Sequence, residues 1–167
     1  MSEELVALAE DCVVRGAVEL PEGRLSDVVN ALDLVQFRPA RVEALDDGRV
    51  IEMEELEVER RDLHLMLARG REGDPTRRVR TVKEQVVMEI GPFTVTGHLH
   101  RPPASGPLAA VHGYARFIPV TEAAYAVHGG APSAHDGAIL VNRELITKID
   151  LVNPIPSFSL NDTFAAG

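Results

Sequence analysis

The chain has 167 residues, 45% of them hydrophobic and 4% aromatic, and its formal net charge is −9. This length allows one ordinary folded domain or two very small ones with an aliphatic core. The negative charge argues against a nucleic-acid binder and against an anionic membrane surface, since both kinds of binding depend on basic residues. Nineteen of the 26 acidic residues lie in residues 1–75, so the first half is predicted to form the acidic side of the molecule.

A single cysteine, Cys12, excludes an intrachain disulfide and a cysteine-based metal cluster. The first residues are acidic, whereas a signal peptide begins with basic ones. No stretch approaches the roughly 20 apolar residues of a membrane-spanning helix. We therefore expect a soluble, cytoplasmic protein that has neither a nucleic acid nor a membrane as its partner.

The first predicted elements are a short helix and a strand. Ser2 is followed by two glutamates, and Leu5 and Leu8 have a helical spacing, which predicts an N-terminal helix. From Val13 the apolar residues alternate with a period of two until Pro21, which cannot donate to a sheet ladder. The sequence therefore predicts a half-buried strand that ends before this proline.

A second helix and a hairpin are predicted next. Ser26 or Asp27 is expected to cap a helix of one to two turns that plugs the open end of a small sheet. Asp46-Asp47-Gly48 supplies the turn of a hairpin, whose second part is an exposed strand with alternating acids. A further strand is predicted for "DLHLML", residues 62–67. The apolar face of the predicted helix consists of Leu25, Val28, Val29 and Leu32.

The clearest boundary is an arginine-rich segment, residues 71–84, that also contains glycine and proline. We predict a linker whose arginines pair with the acidic first half, with an anion or partner site as the alternative. The linker separates a first β-rich unit with its N-terminal helix, residues 1–70, from a second β-rich unit, residues 85–153. Residues 154–167 are predicted to be a tail, because two prolines there prevent a helix or a central strand.

The two halves of the chain contain similar segments in the same order. Residues 13–21, "VVRGAVELP", resemble residues 94–102, "TVTGHLHRP", and "FRP" at Phe37 matches "FIP" at Phe117. We predict a tandem duplication of a unit of roughly 60–70 residues. The predicted fold class is mostly β, with two tandem small bent-sheet or β-barrel units, each with a short helix, related by a pseudo-two-fold axis. Further matches are Val58 with Val141 and Arg60 with Arg143.

Short motifs in both halves are shared with a known family. The first half contains Arg24-Leu25-Ser26-Asp27 followed by Asn30, and the second contains Val141-Asn142-Arg143. With these motifs the chain resembles an uncharacterised family of small bacterial β-domain proteins. The resemblance implies a compact, strongly bent sheet with a small helix, similar in outline to Sm-like barrels, and it implies no known activity.

Five of the six histidines lie in the second half of the chain. His98 and His100 share one face of a predicted strand, a spacing with which two side chains can bind zinc or iron. His135, on a predicted loop next to Asp136, would complete the site. The alternative is a set of surface histidines without a metal, because His98 and His100 match an alanine and a glutamate in the first half.

No catalytic arrangement is recognised in the sequence. Ser26 and Asp27 are adjacent, but no Gly-x-Ser-x-Gly elbow is present, and Cys12 lacks a recognisable histidine partner signature. No glycine-rich phosphate loop precedes a helix. We therefore favour a protein that is not an enzyme.

The leading hypothesis is a non-enzymatic adaptor, scaffold or assembly subunit that binds another protein and self-associates. It would act through the acidic first unit, the arginine-rich linker or the tail with Phe158 and Phe164, which either folds back on the protein or anchors it to a partner. The first alternative is a metal-binding or metal-dependent protein, and without it no cofactor is expected. The second alternative is a small-ligand regulatory domain with its site between the units, near Arg24, Ser26, Asp27 and Asn30.

Overall fold

The structure is a computed structural model that describes residues 2–68, 81–113 and 115–152. Most of these residues form β-strands, so the predicted mostly-β fold class is confirmed. The first half contains β1 (Ser2–Ala9), β2 (Cys12–Glu19), α1 (Leu25–Asn30), β3 (Leu34–Phe37), β4 (Ala40–Ala44), β5 (Val50–Met53), β6 (Leu56–Glu59), a 3-10 helix (Arg60–Asp62) and β7 (Leu63–Ala68). The second half contains β8 (Val82–Ile90), β9 (Phe93–Arg101), a 3-10 helix (Ala109–His112), β10 (Phe117–Val127), β11 (Ser133–Ala134), β12 (Ile139–Asn142), a 3-10 helix (Arg143–Leu145) and β13 (Ile146–Leu151).

One large antiparallel sheet contains strands from both halves of the chain. Its order is β13-β8-β9-β10-β12-β7-β1-β2-β4-β5, with β11 added to β10, and β3 and β6 form a second, two-stranded sheet. The halves meet where β12 pairs with β7. Within the described residues the large sheet stays open, because β13 and β5 end the order, so the barrel form of the prediction is not seen.

The central strands of the large sheet are buried on both faces. In β1, Leu5 belongs to a first hydrophobic core and Leu8 to a second, and in β7 Met66 and Leu65 divide in the same way. The first core lies against α1, β3 and β6, and the second lies against β8 and β9. Burial on both faces explains why "LHLML" is almost continuously apolar rather than alternating.

The predicted N-terminal helix is wrong, because Ser2–Ala9 forms strand β1. This strand pairs with β2 on one side and with β7 on the other. Leu5 and Leu8 are three residues apart, which suggests a helix, but they face different cores. Pairing on both edges and burial on both faces therefore outweigh the local helical spacing.

The predicted short helix and hairpin are present. Helix α1 buries Leu25, Val28 and Val29 in the first core. The expected caps are wrong: the helix begins after Arg24, and no side chain caps it. Strands β4 and β5 form the predicted hairpin around the turn at Asp46–Gly48, where Gly48 has a φ of +71°.

The predicted linker and tail fall mostly outside the described residues. Strand β8 begins at Val82, so the last part of the predicted linker belongs to the sheet. Residues 71–80 and the predicted tail at 154–167 lie outside the described part of the chain. In the described residues no helix is long and apolar enough to cross a membrane.

Two glycines occupy comparable places in the two halves. An ideal Cβ added to Gly16 would lie 2.1 Å from the Pro39 carbonyl oxygen, and one added to Gly97 would lie 2.8 Å from the Thr121 carbonyl oxygen. Each glycine therefore lets the neighbouring strand approach at a point where a side chain has no room.

Two arginines also make comparable bonds. The Arg60 N–H donates to the Asp33 carbonyl (2.9 Å) and the Arg143 N–H to the Arg116 carbonyl (2.6 Å). The side chain of Arg60 donates to the Asn30 carbonyl, and that of Arg143 donates to the Ala115 carbonyl (3.0 Å). In both halves the arginine thus holds the segment that precedes a strand.

The strand pairing changes one detail of the predicted match between the halves. Val35 lies opposite Val58, and Ile118 lies opposite Val141. Since Val58 and Val141 were matched by sequence, Phe117 takes the place of Leu34 and not that of Phe37. The "FRP" and "FIP" segments are therefore three residues out of register.

Candidate functional site

The residues predicted to bind a ligand near α1 do not form one site. Arg24 and Asp27 are exposed, and Ser26 is half-buried. Asn30 has a structural role, because its Oδ1 accepts from the Phe117 N–H (2.8 Å) and its Nδ2 donates to the Phe117 carbonyl (3.0 Å). Both polar ends of its side chain are thus used to join α1 to the start of β10. The other predicted binding residues, Phe158 and Phe164, lie outside the described residues.

A second asparagine, Asn142, makes a similar link in the opposite direction. Its fully buried side chain donates to the Leu63 carbonyl (2.9 Å) and accepts from the Glu144 N–H (3.2 Å). Asn30 therefore connects the first half to the second, and Asn142 connects the second half to the first. The sequence marked Asn142 only as part of a motif, because its burial depends on the pairing of β12 with β7.

His98 and His100 lie on one face of β9, as predicted. The ring of His100 lies between two hydroxyls, with Nδ1 3.0 Å from Thr81 Oγ1 and Nε2 2.6 Å from Thr121 Oγ1. Burial lowers its pKa, and the charges of Lys83 and His98 lower it further. Both ring nitrogens are therefore engaged by protein groups rather than open to a metal ion.

A glutamate at a bulge completes this surface. Glu122 has a φ of +50°, and its carboxylate accepts from Lys83 Nζ (3.1 Å) and lies 3.6 Å from His98 Nδ1. The hydrogen bond from Lys83 is the main reason that the pKa of Glu122 is lowered. This outer face of β9 is thus a mixed polar surface.

His135 does not join the other two predicted metal ligands. It lines a cleft together with Tyr125, whose ring packs against the second core. His98 and His100 alternate with Leu99, which belongs to that core, and so they lie on the opposite face of β9. In the described residues no group of three or more histidines, cysteines or acids is placed to hold a metal ion. The predicted trio is therefore not a single site.

His64, the one histidine that the sequence interpretation left aside, is almost fully buried. It is 8% exposed, its Nδ1 has no hydrogen-bond partner within hydrogen-bond distance, and its ring meets Phe93 edge-on. Burial lowers the pKa of His64, although the charges of Glu10 and Asp62 oppose this effect. The ring also occupies the space beside Gly91, where an added Cβ would lie 2.6 Å from Nε2. Only the tertiary packing of the two halves reveals this residue.

Strand β5 is an open edge of the large sheet. It pairs with β4, and among the described strands it has no other neighbour. All four of its residues are exposed, and three of them are large and apolar: Val50 (38%), Ile51 (51%) and Met53 (38%). The acidic segment that the sequence predicted as one strand therefore divides into β5 and β6, which belong to different sheets.

A groove crosses the face of the sheet beside β5. Its volume is about 560 Å³, and we call it the charged groove because three acids and two arginines line it. Arg15 on β2 lies directly opposite Arg41 on β4, and Arg41 lies directly opposite Glu52 on β5. The lining residues are Glu4, Arg15, Gly16, Pro39, Ala40, Arg41, Glu52, Met53 and Glu54.

A second cleft of about 380 Å³ adjoins the charged groove and is called the inner cleft. Glu4 and Arg15 line both spaces and therefore lie at their junction. Beyond the junction the walls become more apolar, with Val6, Leu67 and the ring of Tyr125. The remaining lining residues are Ser133, Ala134 and His135. Strands from both halves thus form this cleft.

Comparisons with family models, with curated proteins and with solved structures found no match. The resemblance to small bacterial β-domain proteins therefore stays a prediction.

Proposed function

We propose that the chain is a non-enzymatic adaptor or assembly subunit that binds an extended, basic segment of another protein along β5. The observation that carries this proposal is the open edge of β5, which is exposed along its whole length. An exposed edge offers unpaired backbone groups to which a further strand can be added. The cytoplasm is the location that we propose for this function.

The backbone of β5 has hydrogen-bonding groups that point away from the sheet. The Ala44 N–H donates to the Arg49 carbonyl (2.9 Å), and these two residues lie next to the paired residues Glu43 and Val50. Hydrogen-bonded and non-bonded pairs alternate along an antiparallel ladder. The N–H groups of Val50 and Glu52 therefore point outward, where an added strand would accept them.

Charge selects a basic partner for this edge. Glu52 and Glu54 have no ion-pair partner in the described part of the chain. Glu55, in contrast, pairs with Arg38 (3.0 Å). A second copy of β5 would bring acidic residues against acidic residues, and such repulsion opposes self-pairing. Lysine or arginine in the added strand would instead be attracted, and would also speed the association.

We further propose that the chain is a tandem duplication with pseudo-two-fold symmetry. The comparable positions of Gly16 and Gly97, and the comparable bonds of Arg60 and Arg143, support this proposal. Under this view the hairpin that contains β5 is a feature of the first half alone.

The experiment that tests the adaptor proposal is peptide binding to the open edge. The probe is a labelled ten-residue peptide in which lysine alternates with valine or threonine, followed by fluorescence anisotropy. We expect saturable binding that weakens at high salt, and no binding of the same peptide with glutamate in place of lysine. Equal binding of both peptides, or of neither, would contradict the proposal.

Two variants of one residue locate the binding. Val50→Pro removes an outward N–H and leaves the hydrogen bonds to β4 in place, whereas Val50→Ala shortens the side chain and keeps the N–H. We expect Val50→Pro to weaken binding by about tenfold or more and Val50→Ala to weaken it less. Light scattering on the free protein tests the expected self-association, and a dimer that Val50→Pro dissociates would replace the basic partner by a second copy of the chain.

A further inference from the structure

The charged groove contains an unusual arrangement of like charges. Arg15 and Arg41 lie directly opposite each other on neighbouring strands. Like charges in this position repel and destabilise the pair of strands. The chain has 26 acidic residues against 17 basic ones, so the pairing of two arginines does not follow from a shortage of acids.

The charges of the groove are also kept apart from one another. No carboxylate of the described residues lies within 4.0 Å of the guanidinium group of Arg15 or Arg41. The three acids of the groove likewise form no ion pair with any described residue, although Glu52 lies directly opposite Arg41. The groove therefore presents separate positive and negative groups that a ligand with both charges can engage.

The shape of the two adjoining spaces restricts the ligand further. The volumes of about 560 and 380 Å³ lie in the range of small-molecule sites. Arg15 and Glu4 lie at the junction, with Arg41 on the groove side and Val6, Leu67 and Tyr125 on the cleft side. A ligand held at the junction would thus have a polar end in the groove and an apolar part in the cleft.

We propose that this junction binds a small zwitterion of the α-amino-acid type with an apolar side chain. Its carboxylate lies between Arg15 and Arg41, because guanidinium groups bind carboxylates with two parallel hydrogen bonds. Its ammonium group faces Glu4. Its side chain enters the inner cleft against Val6 and Tyr125, so that strands from both halves of the chain contact the ligand.

The test is isothermal titration calorimetry with three related probes. L-leucine carries both charges, 4-methylpentanoate carries only the carboxylate, and isoamylamine carries only the ammonium group. We expect saturable binding of L-leucine and a dissociation constant at least about tenfold weaker for each of the other two. If L-leucine and L-phenylalanine both fail to bind at about 10 mM, or if either single-charge probe binds as well as L-leucine, the proposal is overturned.

Variants at exposed positions assign the binding to the junction. Arg41→Gln and Glu4→Gln each remove one charge of the proposed site, and each should weaken L-leucine binding by about tenfold or more. Arg49→Gln is the matched control, since Arg49 lies on the same hairpin and pairs with Asp47 outside the groove. We expect unchanged affinity in the control. Unchanged affinity in Arg41→Gln and Glu4→Gln would overturn the assignment, and it would do so independently of any result on β5.

Discussion

The two halves of the chain agree in their frameworks and differ in their surfaces. Gly16 and Gly97 both lie against a neighbouring backbone carbonyl, and Arg60 and Arg143 both hold the segment before a strand. After the bend, however, the first half continues into the hairpin of β4 and β5, whereas β10 is followed by β11, a strand of two residues. The open edge and the charged groove both depend on that hairpin.

This difference teaches where to look for function in a chain with internal similarity. Positions at which both halves make the same contact serve the fold, since each half needs that contact to pack its own strands. Positions at which they differ are free of this requirement. Arg41 and Glu52 belong to the second class, and both line the charged groove.

The largest expected effect comes from the two framework glycines. In Gly16→Ala the new Cβ would lie 2.1 Å from the Pro39 oxygen and 3.3 Å from the Ala40 Cα, so the backbone itself must move. We expect a loss of about 3 kcal/mol in the free energy of unfolding, or no folded protein at all. Gly97→Ala should cost somewhat less, about 2 kcal/mol, because its nearest neighbour is the Val120 side chain at 2.7 Å.

Urea denaturation followed by circular dichroism measures both effects. The matched control is Gly106→Ala, since nothing lies within 4 Å of a Cβ at that position. We expect the control to change the stability by less than about 0.5 kcal/mol. Equal, small effects in all three variants would break the comparison between the halves.

The next largest effect distinguishes the two asparagines that join the halves. Asn142→Ala removes a fully buried side chain and leaves the Leu63 carbonyl without that donor, which should cost about 2 kcal/mol. Asn30 is only half-buried, so water can replace part of its bonding to Phe117, and Asn30→Ala should cost about 1 kcal/mol. Thermal and urea unfolding measure both values. A larger loss in Asn30→Ala would reverse the proposed order of the two links.

The smallest effect concerns the pH dependence of stability. Burial lowers the pKa of His64 in the folded protein, so the unfolded chain binds the proton more readily. The neutral ring therefore stabilises the fold fully above the ordinary value of 6.5, and this stability is lost as the pH falls below that value toward the lowered pKa. We expect His64→Gln to show a smaller fall in the free energy of unfolding between pH 8 and 5.5 than the wild type does.

The matched control for this measurement is His112→Gln, because His112 is exposed on a 3-10 helix. The control should keep the pH dependence of the wild type. His100 also has a lowered pKa and contributes with the same sign, so His64→Gln is expected to reduce the pH dependence rather than abolish it. An unchanged pH dependence in His64→Gln would contradict the lowered pKa.

Local patterns predicted several elements correctly. The period-two alternation from Val13 indicated β2, and the Asp46–Gly48 turn indicated the hairpin, because both depend on neighbouring residues. The spacing of Leu5 and Leu8 instead suggested a helix, and β1 is a strand because β2 and β7 pair with both of its edges. A local pattern cannot reveal two partners that are distant in sequence.

The candidate site was harder to predict than the fold. The sequence singled out His98 and His100 correctly as neighbours on one face, yet it could not show that His135 lies on the opposite side of the sheet. It also could not reveal the facing arginines, since the strand register places Arg15 opposite Arg41.

The sequence by itself determined the mostly-β class, the aliphatic core and the acidic character of the first half, since these follow from composition and short-range periodicity. It also marked Gly16, Gly97, Arg60 and Arg143 as matched positions. The tertiary structure alone decided that the halves share one sheet, that Asn30 and Asn142 join them, and that β5 remains an open edge. These features depend on contacts between residues far apart in the chain, which are set by strand pairing and packing and not by local pattern.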